Sequence, residues 1–364
     1  MLGIPNGVSR MNSSSLEFLE ALVKTASPSG YEAGLAELYR SYIMPYADDV
    51  RTDVMGNVTA VINPDAQFKV MIAAHIDEIG LMIHHISDDG FLHFQMIGGN
   101  DSIIADGQRV WVQGRHRIAG VVGRKSMTVQ SPSEVKQKPT TKELWIDIGA
   151  KSKDEAEEVV SLGDVATFQP EFQALLSGRA TGRAFDNKAG VFAMAETMRY
   201  ISDGGRLNSD VGVYAVATVQ EEIGSRGAQT AAYAIAPQIA VAIDMGVATD
   251  IPGLMPHEYG LLAMGKGPAI SRGPNTNHAL YEMLLRTAES AGRPFQVRPD
   301  PASSPTDARA LQITRSGAAA ALLEVPLRYM HTPCEVLDLE DVDGCARLLA
   351  AFSESLVPNF DFRP

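Results

Sequence analysis

The chain has 364 residues, 45% of them hydrophobic and 21% charged, with a formal net charge of −13. That length has room for about two domains, and an acidic balance with no Lys/Arg cluster excludes a phosphate-backbone partner. Two cysteines, Cys334 and Cys345, make neither a disulfide framework nor a CxxC zinc motif.

Met1 to Ser15 lacks the basic and apolar regions of a signal peptide. No apolar stretch reaches the roughly 18 residues of a membrane span. The expectation is a cytoplasmic enzyme with neither nucleic acid nor membrane among its partners.

Residues 15–46 repeat apolar positions at helical spacing, broken by the turn-like Ser27-Pro28-Ser29-Gly30, so two helices are predicted, the second from Tyr31. Residues 50–62 read as a strand pair around Met55-Gly56-Asn57. The run 69–74 reads as a buried strand that ends on His75-Ile76-Asp77-Glu78. From 79 to 173 short alternating runs are separated by Gly, Asp and Ser, with one helix near 154–161, which is the pattern of a small β-rich domain.

After Gly182 helices are predicted at 188–201, 228–236, 278–291, 306–315 and 339–356. Strands are predicted at 211–219, 239–244, 295–298 and 318–325. Such alternation implies a largely parallel sheet covered on both faces. The predicted organisation is one α/β domain, residues 1–78 plus 174–364, interrupted by a β-rich insertion at 79–173.

Metal-capable side chains follow several of these strands. Glu221 and Glu222 come directly after the apolar run 211–219. Two adjacent buried carboxylates repel and lose hydration unless a positive partner lies beside them. His75 and Asp77 close the strand at Ala74, Asp244 ends 239–243, Asp186 precedes a helix, and His331 follows Pro326-Leu327-Arg328-Tyr329-Met330. The carboxyl ends of strands are where open α/β sheets bind ligands.

Each residue alone admits a plainer role. Glu221-Glu222 makes a solvated turn, Asp186 a helix N-cap, Asp244 a turn aspartate, and His75 or His331 a hydrogen-bonded core histidine. His84, His85, His93, His116, His257 and His278 carry no comparable context. Jointly, two histidines and three carboxylates form a mixed N/O set suited to zinc, cobalt or manganese. Five ligands are what two metals about 3.5–4 Å apart need if they share one carboxylate.

Ala74-His75-Ile76-Asp77-Glu78-Ile79-Gly80, Ala184-Phe185-Asp186-Asn187, Gln220-Glu221-Glu222-Ile223-Gly224-Ser225-Arg226-Gly227, Ile243-Asp244 and Arg328-Tyr329-Met330-His331-Thr332-Pro333 resemble, in order, the signatures of the M42 metallo-aminopeptidases. These are the TET-type tetrahedral enzymes, some of which carry a glucanase label. The resemblance implies a zinc-peptidase-like α/β/α sandwich with an inserted β-rich dimerisation domain, and a dodecamer built from dimers.

It further implies two divalent metal ions, zinc first with cobalt or manganese as alternatives, acting on short peptides. His75 and Asp244 would hold the first metal, Glu222 and His331 the second, and Asp186 would bridge them. Glu221 would be the general base, Asp77 would orient His75, and the Asp186–Asn187 peptide would be strained, in the cis form. Pro305 stands where the family often has glycine, and 318–324 is also plainer than usual; both bear on specificity. Another dinuclear hydrolase (a deacylase, carboxypeptidase or glucanase) or a non-catalytic assembly protein of the same fold would fit the same ligands.

Overall fold

The computed structural model describes residues 11–131, 137–358 and 360–363, so part of the Met1 to Ser15 segment lies outside the described residues. One long sheet and one closed barrel organise the chain. The sheet runs in the order β1 (Asp49–Thr52), β2 (Val58–Ile62), β12 (Val211–Thr218), β3 (Phe68–His75), β13 (Ile239–Val247), β16 (Ala319–Arg328), β17 (Glu335–Asp338), β11 (Arg179–Gly182), β10 (Gln173–Ala174). Two further strands, β14 (Ala269–Arg272) and β15 (Gln296–Pro299), branch from β16.

The four central strands β12, β3, β13 and β16 are parallel, as helical crossovers require. The flanks are antiparallel, because β1–β2 and β10–β11 are joined by short connections rather than helices. The sheet is therefore mixed, more so than the helix–strand alternation implies.

The central strands are buried throughout, and alternate residues face opposite layers. Val70, Ile72 and Ala74 pack with helices Ser13–Lys24, Ala33–Ile43, Phe185–Gly204, His278–Ala291 and Leu339–Ser355. Met71 and Ala73 face helices Arg226–Ile235 and Asp307–Gln312. This is the α/β/α sandwich. Helix Asp307–Gln312 is shorter than the 306–315 pattern, the helix predicted at 154–161 is Lys153–Glu157, and the described residues of the insertion hold a second short helix, Ser102–Ala105, that was not predicted.

Strands β4 (Gly80–Ile86), β5 (Leu92–Ile97), β6 (Arg109–Gln113), β7 (Arg117–Arg124), β8 (Leu144–Asp147) and β9 (Val165–Phe168) close the barrel in the order β4-β5-β8-β7-β6-β9. Its interior has an apolar core of its own, including Leu81, Ile83, Phe94, Val110, Val122 and Ile146. Gln173, the last residue of the 79–173 segment, starts β10 and pairs with β11 in the main sheet. No helix among the described residues is long and apolar enough to cross a membrane.

Candidate active site

The parallel strands deliver the site. β12 and β3 run in register from Val211 opposite Phe68 to Thr218 opposite His75, so both end at one edge. The chain leaving β12 turns there through Gln220, at φ 58°, into Glu221 and Glu222. Asp244 lies on β13, paired with Glu324 of β16. Asp186 occupies the irregular first turn of helix Phe185–Gly204, where its φ/ψ of −79°/104° is not helical; Ala184, not Asp186, is the residue at the N-cap. The Asp186–Asn187 peptide is cis.

Nine described non-glycine residues adopt positive φ, and Ala184, Gln220, Ser225, Tyr329 and His331 are among them. All five belong to the turns that bear the candidate residues. Left-handed backbone costs an L residue free energy, and such positions concentrate where a turn must aim a side chain.

The seven sequence-predicted residues come together. His75 Nε2 lies 3.3 Å from Asp186 Oδ1, 3.8 Å from Asp244 Oδ1 and 4.0 Å from Glu221 Oε2. His331 Nε2 lies 3.3 Å from Asp186 Oδ2 and 3.6 Å from Glu222 Oε1. Two groups of ligand-capable atoms result, His75–Asp186–Asp244 and Asp186–Glu222–His331, the atoms of each within 4.8 Å of one another. They line a cavity of about 410 Å³ together with Met245, Pro305, Thr306 and Arg309.

Both histidines are held in the same sense. His75 Nδ1 faces the Asp77 backbone carbonyl at 3.1 Å, and His331 Nδ1 faces the Gly99 carbonyl at 2.9 Å. A carbonyl only accepts, so each Nδ1 carries a proton, and Nε2, the nitrogen facing the carboxylates, is the one that can give its lone pair to a cation once its own proton leaves. Asp186 Oδ1 and Glu222 Oε1 are buried without a hydrogen-bond partner. Unsatisfied carboxylate oxygens facing imidazole Nε2 atoms fit divalent cations in both groups.

Burial dominates the electrostatics. It pushes Glu221 up to about 9, against the pull of His75, and Glu222 up to about 8, with the charge of Asp186 adding to the effect. Asp244 is raised by burial as well. Asp186 is held low despite burial, because His331 and His75 stabilise its charged form. His331 is raised to about 9, chiefly by Asp186. Burial alone would lower His75, but Asp186, Asp244 and Asp77 raise it well above the ordinary histidine value. Without cations, protons stand in for the missing positive charge.

Asp77 does more than face His75. Its Oδ1 accepts the Glu221 N–H at 2.8 Å, and its Oδ2 accepts the Glu222 N–H at 3.0 Å and the Ser29 hydroxyl at 2.7 Å. Sequence reasoning found Asp77 but missed this grip on the glutamate pair. It also missed Gly99, a backbone group of the insertion with no side-chain signal to find. Asp307 was missed too: buried, pushed up to about 7 by that burial, it accepts the Thr218 hydroxyl at 2.6 Å. The detectable cue was its place in Ser304-Pro305-Thr306-Asp307, beside the pocket.

Comparison with known proteins identifies the class, an enzyme that hydrolyses peptide bonds. The chain belongs to the M42 glutamyl aminopeptidase family, whose sequence profile matches residues 56–348. It is 36% identical to the lysyl aminopeptidase of Pyrococcus furiosus over 96% of this chain and 99% of that one. The solved TET aminopeptidase of a marine-sediment Thaumarchaeota archaeon superposes with a TM-score of 0.90, at 34% identity, covering 94% of this chain and 96% of the other. The TET1 peptidase of Pyrococcus horikoshii, described as able to assemble into a tetrahedron or a large octahedral shell, matches with a TM-score of 0.83 at 30% identity, over 94% of this chain and 100% of that one.

Proposed function

We propose that this chain is a two-metal aminopeptidase that releases N-terminal residues from short peptides. One observation carries the reading. Two histidines, each with its Nδ1 on a backbone carbonyl, aim Nε2 at carboxylates, and Asp186 lies between them with one oxygen towards each. In this reading His75, Asp186 and Asp244 hold one divalent cation, and Asp186, Glu222 and His331 hold the other. Zinc is the first choice; cobalt and manganese suit the same N/O donors.

Bound cations would supply an acidified water and polarise the scissile carbonyl. Glu221 would be the general base, taking a proton from the attacking water and returning it to the amine as the C–N bond breaks. The Ser225 hydroxyl donates to Glu221 Oε1 at 3.1 Å, leaving Oε2 directed at the ligand cluster. Asp77 orients His75 and fixes the backbone of the glutamate pair. The barrel is the dimerisation domain, and dimers build a dodecameric shell in the cytoplasm. The exposed Ile103, Val121, Met127, Val129 and Leu162 on this segment support that role, as does the assembly ascribed to the P. horikoshii relative.

Glu221→Gln is expected to keep both ions and lose about 10²–10⁴-fold in kcat. A variant that binds no metal would instead make Glu221 a ligand. A panel of aminoacyl amides with free and with acylated amines tests the reaction class: cleavage of the free amines alone supports an aminopeptidase, and release of the acyl group from the acylated ones alone points to a deacylase.

A further inference from the structure

Glu335 is the first residue of β17, pairs with Gly182 at the end of β11, and is 1% exposed. Its Oε2 accepts the Asp186 backbone N–H at 3.1 Å, and its Oε1 accepts the His331 backbone N–H at 2.8 Å. One carboxylate thus joins the main chains of two candidate ligands that the sequence holds far apart.

We propose that Glu335 is a positioning residue that builds the Asp186–Glu222–His331 group by fixing the His331 turn to the Asp186 turn, itself touching neither ion nor substrate. The two ligand groups are held in different ways. In the first, His75 and Asp244 lie on parallel strands, where sheet register sets their separation. In the second, His331 lies in a turn with φ of 61°, two residues after Tyr329 at φ 60°. The internal bonds of that turn, from the Thr332 hydroxyl to the Tyr329 carbonyl at 2.7 Å and from the Cys334 N–H to the Thr332 hydroxyl at 3.2 Å, shape it but do not dock it against Asp186.

The Glu335 carboxylate docks it. Only a carboxylate offers an acceptor to each N–H; glutamine at this position would present its NH₂ to one of them. Loss of the clamp should therefore loosen the second group and leave the first, whose Asp186 side chain still meets His75.

The inference rests on the two-ion reading and is tested on the full chain, stripped of metal and titrated with Zn²⁺ alone by calorimetry and elemental analysis. Wild type is expected to hold two ions. Glu335→Gln should keep one within about 3-fold of the wild-type affinity and bind the other about 10–100-fold more weakly, the scale seen when the support behind a ligand is removed. A further Asp244→Asn change should release the retained ion, whereas a further Glu222→Gln change should not. Glu335→Asp, which withdraws the same two oxygens, is titrated likewise should Glu335→Gln fail to fold. Two ions at wild-type affinity, or equal weakening of both, would overturn the assignment. Fewer than two ions in wild type would overturn the two-ion reading itself and this inference with it.

Discussion

Asp186 faces both histidines at 3.3 Å, one through each oxygen, and so belongs to both ligand groups. Asp186→Asn should accordingly weaken both of the proposed ions, and elemental analysis showing two at full occupancy would remove the proposed bridging role. The neighbouring acids add a second expectation. Near pH 7 the metal-free site holds protons on Glu221, raised to about 9, on Glu222, raised to about 8, and on His331, raised to about 9. Ligands must be deprotonated to bind, so cations displace protons, and affinity rises as pH rises from about 6 to 8. Calorimetry in buffers of different ionisation enthalpy should detect that release; pH-independent binding would contradict it. The residue types of this site were legible in the sequence because chemistry restricts them: few side chains can ligate. The clamps behind them, Asp77 on two backbone N–H groups and Glu335 on two more, were not, because a backbone partner leaves no mark in the residue string.

At the scale of elements, the glutamate turn depends on the start of helix Arg226–Ile235. A Cβ added to Gly227 would meet the backbone N and O of Val219 at 2.5 Å and Asn57 Oδ1 at 2.3 Å. Asn57 Oδ1 also accepts the Val219 N–H at 3.0 Å, so the crowding falls on the strand end that leads into Glu221. Gly227→Ala should cost about 1–3 kcal/mol by the measure of an overpacked site and weaken metal binding. Gly34→Ala is the contrast. In helix Ala33–Ile43 its nearest neighbour would be Thr25 Cγ2 at 3.8 Å, and replacing a helical glycine should gain about 0.5–1 kcal/mol. Denaturant unfolding of both variants checks the pair. The central strands and long helices followed from periodicity, and His278–Ala291 has the predicted bounds, whereas the short strands Arg179–Gly182, Ala269–Arg272 and Glu335–Asp338 were not predicted. The antiparallel flanks did not follow, since periodicity reports which face is buried and not which way a neighbour runs.

Across the whole molecule the barrel and the sandwich meet at the site. The Gly99 carbonyl of the loop after β5 fixes His331, and a Cβ on Gly98 would approach Glu222 Oε2 at 3.3 Å. The Tyr31 hydroxyl donates to the Gly163 carbonyl at 2.6 Å, a second tie between sandwich and barrel. Replacing the barrel by a short linker should therefore have two effects: smaller species in light scattering and loss of the ion proposed at Glu222 and His331. An intact dodecamer would move assembly to other surfaces, and two retained ions would show that Gly99 is dispensable.

By itself the sequence determined the strand–helix alternation, the interrupted sandwich and the seven residue types able to carry the chemistry. All of these follow from local periodicity and side-chain chemistry. The tertiary structure decided how they are used. Parallel register set His75 beside Thr218 and so beside the glutamate turn. Backbone carbonyls from Asp77 and Gly99 chose the tautomer of each histidine. The Glu335 carboxylate drew the His331 turn against Asp186. Those contacts join residues remote in the chain through groups that every residue has, and only the folded chain selects among them.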